Sequence, residues 1–145
     1  MARRTLAIIG ALGIGLGCRG AGPQAGAPAA AEGWAVTAWG ERYEVFAETA
    51  ALVAGQVATS NAHVTVLSGF TPLREGAVSL VLRGSNGVEQ VFRQQKPKRD
   101  GIYPVDARPA SEGTFDLVFR IESPAGPEDV AAGRVRVGSS TAPGG

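Results

Sequence analysis

At 145 residues the chain has room for one ordinary domain, with about 100 residues left for a core once low-complexity segments at both ends are set aside. Its 14 basic and 13 acidic side chains nearly cancel, and removal of Arg3 and Arg4 with a leader leaves 12 against 13. That balance excludes the electrostatic footprint of a nucleic-acid binder or a general membrane-surface binder. One cysteine and one histidine exclude an intrachain disulfide and any site built from several sulfur or imidazole ligands.

Residues 1–18 read as a secretory signal. Arg3 and Arg4 supply a positive start, and the uncharged apolar run Thr5 to Gly17 is shorter than the roughly 20 residues that span a bilayer but right for a signal core. Cys18 closes that run and resembles the cysteine of bacterial lipoproteins, where the thiol receives a diacylglycerol and the residue becomes the new N-terminus. The alternative is ordinary cleavage after Ala29 or Ala31. Glycines 10, 13, 15 and 17 do not make a nucleotide loop, because no strand precedes them and no βαβ unit follows. Residues 19–33 are nearly all Gly, Ala and Pro with no large apolar side chain, so they bury nothing and predict a tether. Residues 139–145 have the same character, leaving 34–138 as the folded domain.

Within that domain apolar residues alternate and turn residues recur, which predicts an all-β, immunoglobulin-like antiparallel β-sandwich of about seven strands. Tyr43 to Glu48 and His63 to Leu67 are expected strands. Between them Ala50 to Ala58 contains good helix formers, but Gly55-Gln56 reads as a turn. Ala77 to Arg83 and Val88 to Arg93 form a hairpin across Gly84-Ser-Asn-Gly87, where Asn-Gly favours the positive φ of tight turns. Further strands are expected at Ile102 to Ala107 and Arg134 to Val137. The strongest strand is Thr114 to Glu122: Phe115, Leu117, Phe119 and Ile121 share one face, and a one-residue slip would bury Asp116, Arg120 and Glu122 instead.

The inventory for chemistry is thin. His63 is the one candidate acid or base, and no nucleophile-elbow context accompanies it; a strand histidine hydrogen-bonded to backbone is the expected state. Glu44 and Glu48 fall on one strand face as solvated carboxylates. Neither catalysis, nor a metal, nor a cofactor is therefore expected. Arg93, Lys96, Lys98 and Arg99 place four positive charges in seven residues around Pro97, on a loop suited either to solubility or to an acidic partner. Trp34 and Trp39 suit a sandwich edge or a docking surface equally.

From Tyr43 onward the order of segments resembles a known family. Glu44-Val-Phe-Ala-Glu48, Leu52-Val-Ala-Gly55, Ala62-His-Val-Thr65, Phe70-Thr-Pro-Leu-Arg-Glu-Gly76, Val81-Leu-Arg-Gly84, Gly101-Ile-Tyr103 and Leu117 to Pro124 resemble the N-terminal immunoglobulin-like region of periplasmic adaptor subunits of resistance-nodulation-division efflux pumps, in particular the heavy-metal branch. The resemblance implies a non-catalytic periplasmic component, often membrane-anchored, that works against other envelope proteins. The lipoyl, hairpin and barrel regions that follow in such adaptors are not in this sequence, and the metal ligands of some adaptors have no Met or Cys counterpart in the domain. The expected function is thus a protein-binding envelope module related to these adaptors, its partner an envelope protein such as a pump component. The alternative is an unrelated envelope lipoprotein whose sandwich captures a peptide or protein by strand pairing.

Overall fold

The computed structural model describes residues 32–140, and within them the chain forms nine β-strands and no helix. Cys18 and the expected signal segment lie outside the described residues. In chain order the strands are β1 (Trp34–Trp39), β2 (Tyr43–Thr49), β3 (Ala58–Val66), β4 (Thr71–Pro72), β5 (Ala77–Arg83), β6 (Glu89–Gln94), β7 (Ile102–Ala107), β8 (Gly113–Ser123) and β9 (Gly126–Val137).

Two antiparallel sheets face each other. One has the order β1-β2-β3, with β4 and β7 both pairing on the far side of β3; the other runs β6-β5-β8-β9. The chain changes sheet after β4, after β6 and after β7, so strands distant in sequence lie side by side across one core. That core holds Phe119, Ile121, Leu80, Leu82, Val45 and Tyr103, all fully buried. The Tyr103 hydroxyl donates to the Gly76 carbonyl at 3.1 Å, and burial, with a smaller contribution from Tyr43, pushes its pKa up to about 12.

The count is nine rather than seven because of two strands whose sequences carry little signal. β1 is Trp-Ala-Val-Thr-Ala-Trp, rich in alanine and held by its pairing with β2; β4 is two residues, one of them proline. β3 starts five residues before its expected beginning, since buried Ser60 meets buried Thr49 through a 2.7 Å hydroxyl contact. β9 starts eight residues early despite Pro127 and Gly133. It is an edge strand with a register shift opposite Asp116 and Val118, and edges tolerate both features. Val53 to Gln56 forms a turn, not a helix.

The β5–β6 hairpin pairs as expected, from Arg83 opposite Glu89 to Val78 opposite Gln94. Its turn differs in detail. Gly87 alone takes positive φ, at 81°, while the Asn86 side chain accepts a hydrogen bond from the Val88 amide; this is a three-residue loop ending in a left-handed glycine.

β5 is buried on both faces, including Ser79 and Val81, whose side chains point away from the core by alternation. The cover is ionic. Arg120 on β8 reaches Glu89 on β6 at 3.1 Å and Asp129 on β9 at 2.8 Å, and Arg83 joins Glu89 at 2.9 Å. Because Glu89 lies opposite Arg83, while Arg120 lies opposite Ser79, the Arg120–Glu89 contact crosses the row that contains Val81.

Candidate functional site

The sandwich has two ends of different character. At one end lie the β1–β2 turn, the β3–β4 turn at Leu67 to Phe70, the β8–β9 turn and the loop from Gln95 to Gly101. At the other lie the β5–β6 turn, the start of β1 and the end of β9. The first end is tied together by backbone and side-chain bonds between strands of both sheets. The Leu67 amide donates to the Arg42 carbonyl at 2.8 Å, and the Gly101 amide donates to the Leu73 carbonyl at 2.7 Å. Arg42 then crosses to the opposite sheet: its guanidinium donates to the carbonyls of Ala125, Gly126 and Pro127 and pairs with Glu128 at 3.2 Å. Tyr43 and Ser123 share a 2.5 Å hydroxyl contact beside it, and the guanidinium sits 5.6 Å from the Tyr43 ring centre.

On this clamped end sits the loop singled out by its charge. Lys96, Lys98 and Arg99 are exposed on it, and they include both lysines of the chain. The loop is fixed. Lys98 amide to Ile102 carbonyl (2.9 Å), Ile102 amide to Arg99 carbonyl (2.8 Å) and Gln94 side chain to Lys96 carbonyl (3.0 Å) set its path. Gly101 closes it with φ of 75°, packed so tightly that a Cβ there would lie 2.8 Å from Cβ of Pro72.

Arg93 belongs elsewhere. It lies on strand β6, exposed on the outer sheet face, and pairs with Glu122 at 2.8 Å. Arg42, Arg74, Arg83, Arg120 and Arg134 likewise have a carboxylate partner, whereas Arg108 donates to the Gly55 carbonyl at 2.9 Å. Lys96, Lys98 and Arg99 have no carboxylate partner, and of the remaining arginines among the described residues only Arg108 and Arg136, at the other end of the sandwich, share that state. The four-residue cluster read from the sequence is therefore three free cations on a rigid loop plus one neutralised arginine on the adjoining strand.

Beside this loop the sequence reading missed Phe70. Its side chain is 82% exposed, and its φ of 50° makes it the one non-glycine residue in the left-handed region among the described residues. An exposed aromatic in that conformation costs free energy in two ways, through backbone strain and through unburied apolar surface. A groove of about 430 Å³ lined by Glu41, Tyr43, Val66, Leu67 and Ala125 opens on the same end. Alternation could not reveal Phe70, because it sits in a turn.

Comparison with protein-family models, curated proteins and solved structures found no match.

His63 differs from its expected state. It is exposed on the outer face of β3, and its ring packs at a tilt against Phe46, centroids 5.8 Å apart. No group of three or more His, Cys, Asp or Glu among the described residues is placed to hold a metal ion. Glu44 accepts from the exposed Trp39 indole at 2.7 Å. The carboxylates with displaced pKa values, Glu89 and Asp129, owe them to hydrogen bonds from Arg120 and belong to the ionic cover of β5.

Proposed function

We propose that this protein is an exported, non-catalytic binding module of the cell envelope that docks a partner protein at the end of the sandwich carrying Phe70, Lys96, Lys98 and Arg99. The observation that carries this reading is the presence, at one end of the sandwich, of an exposed, backbone-strained aromatic and three cations that no carboxylate neutralises, in a domain where six arginines are paired with carboxylates. Aromatic and basic residues together favour an acidic partner surface with an apolar recess: the ring supplies desolvated contact area and the cations supply steering and register. Rigid hydrogen bonding of the loop lowers the ordering cost of docking. The resemblance to efflux adaptors supports an envelope setting and a pump component as the partner, acting through contact and without a metal or cofactor of its own. Export rests on the charged, apolar leader.

A photo-crosslinking side chain placed at position 70, and separately at position 86 on the opposite end, tests the reading in intact envelopes. We expect a defined adduct from position 70 that is lost in the K96E/K98E/R99E variant. An adduct formed equally well from position 86, or one indifferent to charge reversal, would overturn it. If the captured protein is a pump or channel subunit the adaptor relationship is supported; any other acidic envelope protein favours the unrelated-lipoprotein alternative.

A further inference from the structure

Sheet edges attract other strands unless something prevents it, and most edges here carry a guard. β7 has Pro104, β4 has Pro72, β6 has Glu89 and Arg93, and β9 has Pro127, charged side chains and a register shift. β1 has none of these: Trp-Ala-Val-Thr-Ala-Trp contains no charge, no proline and no bulge, yet it lies at the end of its sheet. We infer that the β1 edge is the interface at which a second copy of this chain pairs, antiparallel, about a two-fold axis through Thr37.

The hydrogen-bond pattern points to that axis. The Gly40 amide donates to the Tyr43 carbonyl at 2.8 Å, which makes Gly40 and Tyr43 a hydrogen-bonded pair. Alternation along the ladder then assigns Ala38, Val36 and Trp34 to the bonds with β2, and leaves the amides and carbonyls of Ala35, Thr37 and Trp39 at the free edge. The Leu67-to-Arg42 bond on the other side of β2 has the matching phase. A two-fold perpendicular to the sheet keeps inner faces with inner faces only when residues of equal parity oppose each other. Centring it on Thr37 satisfies both conditions at once: Thr37 meets Thr37 of the second copy and Ala35 meets its Trp39, so every edge group finds a partner.

The side chains agree with this register. On the outer face Trp39, 63% exposed, falls over an alanine. On the inner face Trp34 falls opposite Gly40, and Val36 opposite Ala38. Each large ring thus meets a small residue, and β1 itself brings no charge against its own copy, as would happen between Arg134 or Arg136 if β9 paired with itself. The inner edge adjoins a groove of about 530 Å³ between β1 and β9, lined by Trp34, Val36, Leu117 and Val135 and also by Arg134 and Arg136, over which the second strand extends.

Charge swapping at the axis is the test, using the full chain in mild detergent and sedimentation equilibrium. Thr37 is exposed, so Thr37→Glu and Thr37→Lys are compatible with the fold. The wild type should dimerise, each variant alone should associate at least about tenfold more weakly, since like charges then meet at the axis, and an equimolar mixture of the two should recover a heterodimer. A monomeric wild type, variants that dimerise as well as wild type, or a mixture that fails to recover would each overturn the inference. Self-association through the apolar N-terminal run would show as insensitivity to Thr37, and would count against it. The docking proposal rests on Phe70, Lys96, Lys98 and Arg99 and this one on the edge of β1 centred at Thr37, so loss of one leaves the other standing.

Discussion

Residue by residue, β8 shows how one strand serves two kinds of packing. Phe119 points inward and is fully buried, and Phe119→Ala should cost about 3–5 kcal/mol in denaturant unfolding, because the cavity cannot collapse between two sheets. Its neighbour Arg120 points outward, yet it is no ordinary surface charge. Arg120→Ala should cost about 1–2 kcal/mol, above the range of an exposed pair, since it breaks contacts to Glu89 and Asp129 and uncovers Val81. The pH dependence separates the two variants. Arg120, and then Arg83, hold the Glu89 carboxyl below its ordinary 4.5, and Arg120 holds Asp129 below its ordinary 3.8. Groups with lowered native pKa stabilise the fold above their unfolded values and lose that contribution as pH falls through the native ones. Thermal melts from pH 7 downward should therefore drop through the acid range in the wild type and in Phe119→Ala, and less steeply in Arg120→Ala. Equal acid slopes in all three would mean that the network carries no linkage.

At the scale of elements, legibility followed burial contrast. β5 to β8 could be placed within a residue or two because β-branched and aromatic runs stand between clear turn residues, and β8 could also be oriented, since its apolar and charged residues alternate and the wrong register buries three charges. β1 was not legible because alanine and threonine give weak contrast and its stability comes from β2. The early halves of β3 and β9 were hidden by Thr, Ser, Asn, Pro and Gly, which local propensity assigns to turns and which cross-strand pairing overrides. The charge cluster was visible as composition, but its division was not: that Arg93 is neutralised by Glu122, 29 residues away, is a fact of sheet pairing. The Arg42 clamp was invisible for the same reason, and Phe70 because it sits in a turn. The loop itself depends on Gly101, which has both positive φ and a close approach to Pro72 and the Val64 carbonyl. Gly101→Ala should destabilise the domain by at least about 1–2 kcal/mol and raise amide exchange selectively at Lys98 and Ile102, whose bonds define the loop. Uniform exchange through all strands would indicate global unfolding in place of a local anchor.

For the whole molecule, the ends of the described chain bear on orientation. Trp34, where β1 begins, and Gly138, which bonds Leu52 and Ala54 beyond β9, both lie at the end opposite Phe70 and the basic loop. A chain anchored through Cys18 would therefore enter the domain at the end opposite the proposed docking end, with the three cations on the far side from β1's start. Residues 19–33 can span at most about 50 Å, which fixes the depth of envelope that the docking end can search. Ordinary signal cleavage after Ala29 or Ala31 gives a different molecule, with only a few residues before β1 and no membrane attachment. The mature N-terminus decides between these two geometries. Intact-mass analysis of the protein recovered from membranes should show a chain beginning at Cys18, heavier than its sequence by a diacylglyceryl group, and Cys18→Ser should release the domain from membranes while its melting temperature stays unchanged, because β1 to β9 close their core within residues 34–137. A free N-terminus at Ala30 or Glu32 would remove the anchor and the reach argument together, leaving export and the folded domain in place.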